Sequence, residues 1–243
     1  MMPSDLEERA SRAQPAKPAA SELAVRVVSG VVMAVAAVLL AVNGGVLFAL
    51  FWIAAGAVIF WEWVNLVAHV ERRAQWLAVG VIYAGAAAFC PIMLRADPDY
   101  GLITIIFLFA VVWMTDVVAF FVGRLVGGPR LWPAVSPNKT WSGAVGGFAG
   151  AIIAAFMVAS FAALSHRAAV VLGAVLSVAS EAGDLFESHV KRRFGVKDAS
   201  HIIPGHGGVM DRLDGFIFAA ALATLIGLAR GGLSEPGRGL LEW

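Results

Sequence analysis

The chain has a single cysteine, Cys90, and it sits inside an apolar stretch, so neither an intramolecular disulfide nor a cysteine-based metal site is available to it. Charge is equally sparse: only 14% of the 243 residues are Asp, Glu, Lys or Arg, against 60% hydrophobic, far from the balance of a water-soluble domain. No basic run exists either. The net charge is +1 and the cations punctuate the ends of apolar blocks, which gives no case for a nucleic-acid partner. The first twenty-two residues lack the basic, apolar, small-residue order of a cleavable signal peptide and read as a loose tail on the cytoplasmic side.

What fills the space left by charge is hydrocarbon. Apolar blocks run over about 24–42, 46–68, 76–94, 101–123, 143–165, 168–187 and 214–233. Each is close to the roughly twenty residues that about 30 Å of lipid demands at 1.5 Å per residue. The fold expected is all-α, a polytopic membrane protein of about seven transmembrane helices. Asn43-Gly44-Gly45 separates the first two blocks as a turn, in preference to one fused helix. Gly and Ala enrichment within the blocks suits close helix packing in lipid.

Lys and Arg fall mainly on one side of these spans: Arg9, Arg12, Lys17 and Arg26, then Arg72 and Arg73, then Arg124, Arg130 and Lys139, then Lys191 to Arg193, Lys197 and Arg212. The positive-inside bias therefore places the N-terminus in the cytoplasm. Two segments on that side, 124–142 and 188–213, are too long and polar for simple hairpins, and chemistry is to be sought there. The chain divides into the tail (1–22), a first set of membrane helices (23–100) and a C-terminal membrane region (101–243) carrying both polar loops.

Several residues are foreign to a plain membrane helix. Asp116 lies within the fourth block, where a carboxylate is costly unless hydrated or paired, and Arg124 lies too far along the helix for an i, i+4 pair. In the sixth block Asp184, Ser188 and Lys191 stand at i, i+4 and i+7, one helical stripe bearing a carboxylate, a hydroxyl and an ammonium, an arrangement suited to phosphate and metal. Glu181 and Glu187 enter the same block. Snorkelling and the positive-inside bias account equally well for Arg192 and Arg193. Asp211 and Asp214, three apart, would share a face at the start of the last helix, and paired carboxylates invite a divalent cation. Asp214 also suits an N-cap, a role not foreseen for Asp211. Gly205, Gly207 and Gly208 free the backbone either for a turn or for N–H groups that approach an anion. Ser136, Lys139 and Thr140 precede a helix in the other loop, where Lys139 suits a phosphate and Ser136-Pro137 is also ordinary turn chemistry.

Taken together, Ser188-x-x-Lys191-Arg192-x4-Lys197-Asp198-x-Ser200-x2-Ile203-Pro204-x-His206-Gly207-Gly208-x2-Asp211-Arg212-x-Asp214 resembles the signature of the phosphatidate cytidylyltransferases, without a departure across its 27 residues. The resemblance extends to Gly183-Asp184-Leu185, to Ser136-Pro137-x-Lys139-Thr140-Trp141, and to Asp116-x-x-Ala119 with Gly123-Arg124. It covers roughly the C-terminal half; the first three spans match only in hydrophobicity. Outside the signature, Asn138 replaces an expected lysine, Ser142 a glutamate and Phe120 a tyrosine, changes that bear on affinity more than on identity.

The resemblance implies an inner-membrane enzyme of phospholipid biosynthesis. The phosphate of phosphatidic acid attacks the α-phosphorus of CTP, releasing pyrophosphate and leaving CDP-diacylglycerol. Positioning and charge neutralisation carry such chemistry without a protein nucleophile. Asp184, Asp211 and Asp214 are then the expected Mg2+ ligands, with room for a second cation. Ser188 would touch metal or phosphate. Lys191, Arg192, Lys197 and Arg212 would bind phosphates, with Asp116, Arg124, Ser136, Lys139, Thr140, His206, Gly207 and Gly208 completing the substrate contacts. A homodimer is compatible with the resemblance. A transporter is the chief rival, through Asp116 and Glu181, but transport charges belong near the midplane, whereas here polar residues crowd one end. Another lipid-phosphate enzyme is the second rival; the Asp-Gly then Ala-Arg spacing of CDP-alcohol phosphotransferases is not found.

Overall fold

In hydrocarbon every backbone N–H and C=O must be satisfied within its own segment, which leaves the apolar blocks one local solution, the α-helix. A computed structural model of the chain, describing residues 19–68, 70–203 and 207–243, shows that outcome. Helices α1 (Ala19–Asn43), α2 (Gly45–Leu66), α3 (Arg73–Arg95), α4 (Gly101–Val126), α5 (Trp141–Ala162), α6 (His166–Arg193) and α7 (Met210–Gly231) follow one another. A short α8 (Pro236–Leu241) closes the chain. Six of them, α2 to α7, are long and apolar enough to cross a membrane; in α1 the apolar stretch Val27–Asn43 is shorter. The protein is thus all-α and polytopic, and the expected seven spans are six long ones and this shorter one.

Boundaries depart from expectation where polar residues continue a helix beyond lipid. The sixth helix runs to Arg193, so Ser188 and Lys191 are helical, and the last begins at Met210, which places Asp214 a turn inside it. Asp214 is therefore not its N-cap. Residues 19–22 of the expected tail are already in α1. The break between α1 and α2 falls where it was expected: Gly44 has φ +64°, and a side chain there would meet the Arg95 guanidinium at 2.5 Å. Glycine is the residue that tolerates both.

The loop between α4 and α5 holds an element that apolar blocks do not announce. Strands β1 (Arg130–Trp132) and β2 (Ser136–Thr140) pair antiparallel, Arg130 opposite Thr140 and Trp132 opposite Ser136. The Thr140 hydroxyl then accepts from Gly143 N at 3.1 Å and caps α5.

Helix α4 is deeply set, with Ile105, Phe107, Leu108 and Val111 wholly buried. Against it α5 turns a face of small residues, Gly143, Gly147, Gly150, Ala151, Ala154 and Ala155. A Cβ at Gly147 would stand 2.6 Å from the Thr115 carbonyl, so the two backbones meet as small-residue membrane helices do. An aromatic group, Trp63, Tyr83, Phe186 and Phe218, packs α2, α3, α6 and α7 together, ring to ring at 5.3–6.5 Å. The polar connections gather at one end. The Arg192 guanidinium reaches the Val135 carbonyl of the hairpin at 3.4 Å, and Phe194 packs on Trp76 at 5.0 Å.

Candidate active site

At that end, between the start of α5, the hairpin and α4, α6 and α7, lies a cavity of about 870 Å³. This is at the upper end of the size that small-molecule sites take. Helix α4 contributes Asp116 and Arg124, β2 contributes Lys139 and Thr140, α6 contributes Glu181, Asp184, Glu187, Ser188 and Lys191, and α7 contributes Asp211, Arg212 and Asp214. Ten of the residues expected from the sequence thus share one space. Ser136, Arg192, Lys197, Gly207 and Gly208 do not line it. Ser136 pairs with Trp132 in the hairpin, and Arg192 ties the hairpin and the Val196 carbonyl (3.1 Å) to the end of α6. Lys197 is exposed on the loop. His206 lies outside the described residues.

The charges in the cavity form two groups. In the first, the Lys139 ammonium stands 2.5 Å from Asp184 Oδ2, and both side chains are about a quarter exposed, 28% and 26%. Ser188 donates to Asp184 Oδ1 at 3.3 Å, which realises the i, i+4 step read from the sequence. The ion pair joins β2 to α6 and remains open to water, so either partner can exchange the other for a ligand at small cost. Asp116 faces the same space and makes no hydrogen bond or ion pair with another described residue. Arg124 lies with its guanidinium 5.9 Å from the centre of the Phe120 ring.

The second group is buried. Lys191 bridges Glu187 Oε2, at 2.7 Å, and Asp211 Oδ1. The other oxygen of Asp211 accepts from Gly208 N at 2.7 Å and from Ala199 N at 3.0 Å. Asp211 thus holds the loop closed over the start of α7, a capping role that its sequence position did not suggest. Asp214 Oδ1 accepts from Gly215 N at 2.7 Å.

The donors turned into this cavity are hard carboxylate oxygens and hydroxyls, the set that suits Mg2+ rather than a softer metal. Among the described residues no three Asp, Glu, His or Cys side chains gather tightly enough to cage an ion. Mg2+ does not ask for a cage: one or two carboxylates, waters and substrate phosphates suffice. Two carboxylate oxygens of this lining, Glu181 Oε1 and Glu187 Oε1, are buried without a hydrogen-bond partner among the described residues. The residues fit a divalent cation that arrives with phosphate.

One buried carboxylate was passed over. Glu62 of α2 is wholly buried and accepts from Ser200 Oγ at 2.6 Å, Val209 N at 2.9 Å and Met210 N at 2.8 Å. Its signal was in plain view, an acid within the second apolar block, where charge is expensive.

Residues 70–228 match the model of the cytidylyltransferase family. This chain belongs to that family. The family's matched region contains α3 to most of α7, the cavity and both charge groups. The phosphatidate cytidylyltransferase of Brucella abortus biovar 1 is 41% identical over 253 aligned residues, covering 85% of this chain and 94% of the relative. That of Staphylococcus haemolyticus is 39% identical over 155 residues, 63% of this chain and 58% of its own, and that of Staphylococcus aureus strain COL is 41% identical over 128 residues, 52% and 49%. The likeness to the family thus rests on more than the signature, since the Brucella alignment reaches into the N-terminal helices.

Proposed function

We propose that the protein is a phosphatidate cytidylyltransferase of a bacterial inner membrane, transferring CMP from CTP to phosphatidic acid. The observation that carries this reading is the convergence of Lys139, Lys191, Arg124 and Arg212 with Asp116, Asp184, Asp211 and Asp214 in one cavity at one end of a membrane bundle. The relatives' name supplies the substrates, and the cavity supplies a place where a water-borne triphosphate can meet a lipid phosphate. A phosphatidate oxygen forms the new bond to the α-phosphorus of CTP as the bond to the β-phosphate oxygen breaks, and pyrophosphate leaves.

Lys139 and Arg124 lie near the open side of the cavity and are suited to hold phosphate oxygens, Lys139 by leaving Asp184. Lys191, fixed between Glu187 and Asp211, keeps a positive charge where negative charge grows in the transition state. Ser188 orients Asp184, and Asp211 keeps the loop shut. Asp184, Asp211 and Asp214 are the residues that would hold Mg2+, which when bound neutralises the phosphates and favours the leaving group. The basic residues beside this end, Arg72, Arg73, Arg130 and Arg193 among them, support a cytoplasmic placement of the cavity.

The test is purified protein in detergent micelles with phosphatidic acid, Mg2+ and α-labelled CTP, following label into the lipid phase. Wild-type protein is expected to label lipid and Asp211→Asn to lose nearly all of that turnover. No lipid label from folded wild-type protein, across varied lipid and metal, would overturn the reading and favour a transporter.

A further inference from the structure

A helix begins with N–H groups that have no partner inside the helix, and something must accept from them. Helices α5 and α6 solve this locally, through Thr140 and Ser165. Helix α7 does not: Val209 at its N-cap offers no side-chain bond. Three successive amides there, Gly208, Val209 and Met210, are satisfied instead by two carboxylates, Asp211 for the first and Glu62 for the next two. Glu62 comes from α2, about 150 residues away along the chain and outside the residues matched to the family.

Glu62 is 0% exposed, yet it makes no ion pair with any described residue. A buried carboxylate is tolerable here because three hydrogen bonds meet it and the positive end of α7 points at it. Its Oε1 also accepts from Ser200, next to Ala199, whose amide is held by Asp211. The loop from α6 to α7 is therefore buckled twice, Ala199 and Gly208 to Asp211, Ser200 and Val209 to Glu62. Space is close as well. A Cβ at Gly208 would lie 2.5 Å from Glu62 Oε1, so only glycine lets the two approach.

We infer that Glu62 is a positioning residue: it fixes the start of α7, and through it the placement of Asp211, Arg212 and Asp214 in the cavity. The inference rests on the proposed reaction for its kinetic consequence, though not for its structural one. Neither Glu62 nor any of its hydrogen-bond partners lines the cavity; it acts through the α7 backbone. The N-terminal helices, on this view, are the wall against which the signature loop is set.

The substitution to make is Glu62→Gln, which keeps one oxygen for Ser200 and Val209 but turns an NH2 group toward Met210 N–H; Glu62→Ala removes both acceptors. Buried partners of metal-site residues typically change metal affinity or activity by about 10–100-fold. The expected result for Glu62→Gln is a Mg2+ concentration for half-maximal rate raised about tenfold, with a larger rise in Glu62→Ala. The Michaelis constant for phosphatidic acid should stay near wild type. A residue needed only for folding would lower the amount of active protein and leave Mg2+ half-saturation where it was; that outcome overturns the inference. Hydrogen exchange in detergent, read without turnover, is the second arm. Amides of 199–203 and 207–210 should exchange faster in Glu62→Gln while α4 and α5 keep their protection, and unchanged exchange there also overturns it. If wild-type protein fails to label lipid, the reaction falls and the exchange arm alone decides the positioning of α7.

Discussion

Two aspartates at opposite ends of the bundle, Asp184 and Asp97, put the same side chain to different uses. Asp97, between α3 and α4, is 1% exposed and spends its oxygens on backbone: Oδ1 accepts from Asp99 N at 3.1 Å and Tyr100 N at 2.7 Å, Oδ2 from Arg238 N at 2.9 Å. All its partners are fixed amides, and they tie the α3–α4 turn to α8. Asp184 meets a lysine and a hydroxyl in a cavity open to solvent. A carboxylate held by amides alone is a structural pin, whereas one that counts an ammonium among its partners can exchange it for a ligand. What separates them is the kind of partner, three backbone amides for Asp97 against a side-chain ammonium and a hydroxyl for Asp184.

The sharpest test of that distinction is Asp184→Asn. The amide keeps an acceptor for Ser188 and loses the charge that a cation would meet, so lipid labelling should fall by about 10³-fold while the unfolding midpoint stays near wild type. Turnover of Asp184→Asn within a few-fold of wild type would place Asp184 with Asp97 as a pin.

The second effect is smaller and falls on binding. Lys139→Ala removes the ammonium from the mouth of the cavity and leaves Asp184 hydrated, which costs little because the pair is a quarter exposed. One charge-assisted hydrogen bond to a phosphate is worth about 1.5–3 kcal/mol. The Michaelis constant for CTP should therefore rise by roughly 10–100-fold, with a lesser change in turnover number. An unchanged constant for CTP would show that Lys139 serves only to hold β2 against α6.

This contrast was half legible in the sequence. The spans were readable because lipid fixes both the length and the composition of a helix that crosses it. Their polar continuations were not, because an apolar block marks where lipid begins and not where the helix does: α6 runs to Arg193, and α7 starts four residues before its apolar block. The hairpin escaped notice because strands of three and five residues, one containing Pro137, are too short for alternation to show. Asp116 and Asp184 stood out as acids within apolar blocks, Asp211 and Asp214 as a pair three apart at the start of the last one, and the structure brings all four to one cavity. The same rule applied to Glu62 singles it out too, but a motif concentrated in the C-terminal half drew attention away from the second helix. Which acids are pins could not be read in full, since Asp97 has two partners within three residues but its third 141 residues away, and those of Glu62 lie up to 148 residues away.

The smallest effect on the reaction, and the one that tests the other half of the comparison, belongs to Asp97→Ala. Three backbone N–H groups would lose their acceptor at the end remote from the cavity. Those amides lie at a turn where water can replace part of what is lost, so the cost should be about 2–3 kcal/mol, read as a lower unfolding midpoint in detergent. Turnover per folded molecule should not move, because the loss is passed to the α3–α4 turn and α8 and not to α7's first turn. Asp97→Asn should recover part of the stability, since the amide oxygen still accepts two of the three bonds. A fall in turnover with the midpoint unchanged would show that the two ends are coupled through α4 or α7, and the division of the bundle into a working end and a pinned end would fail.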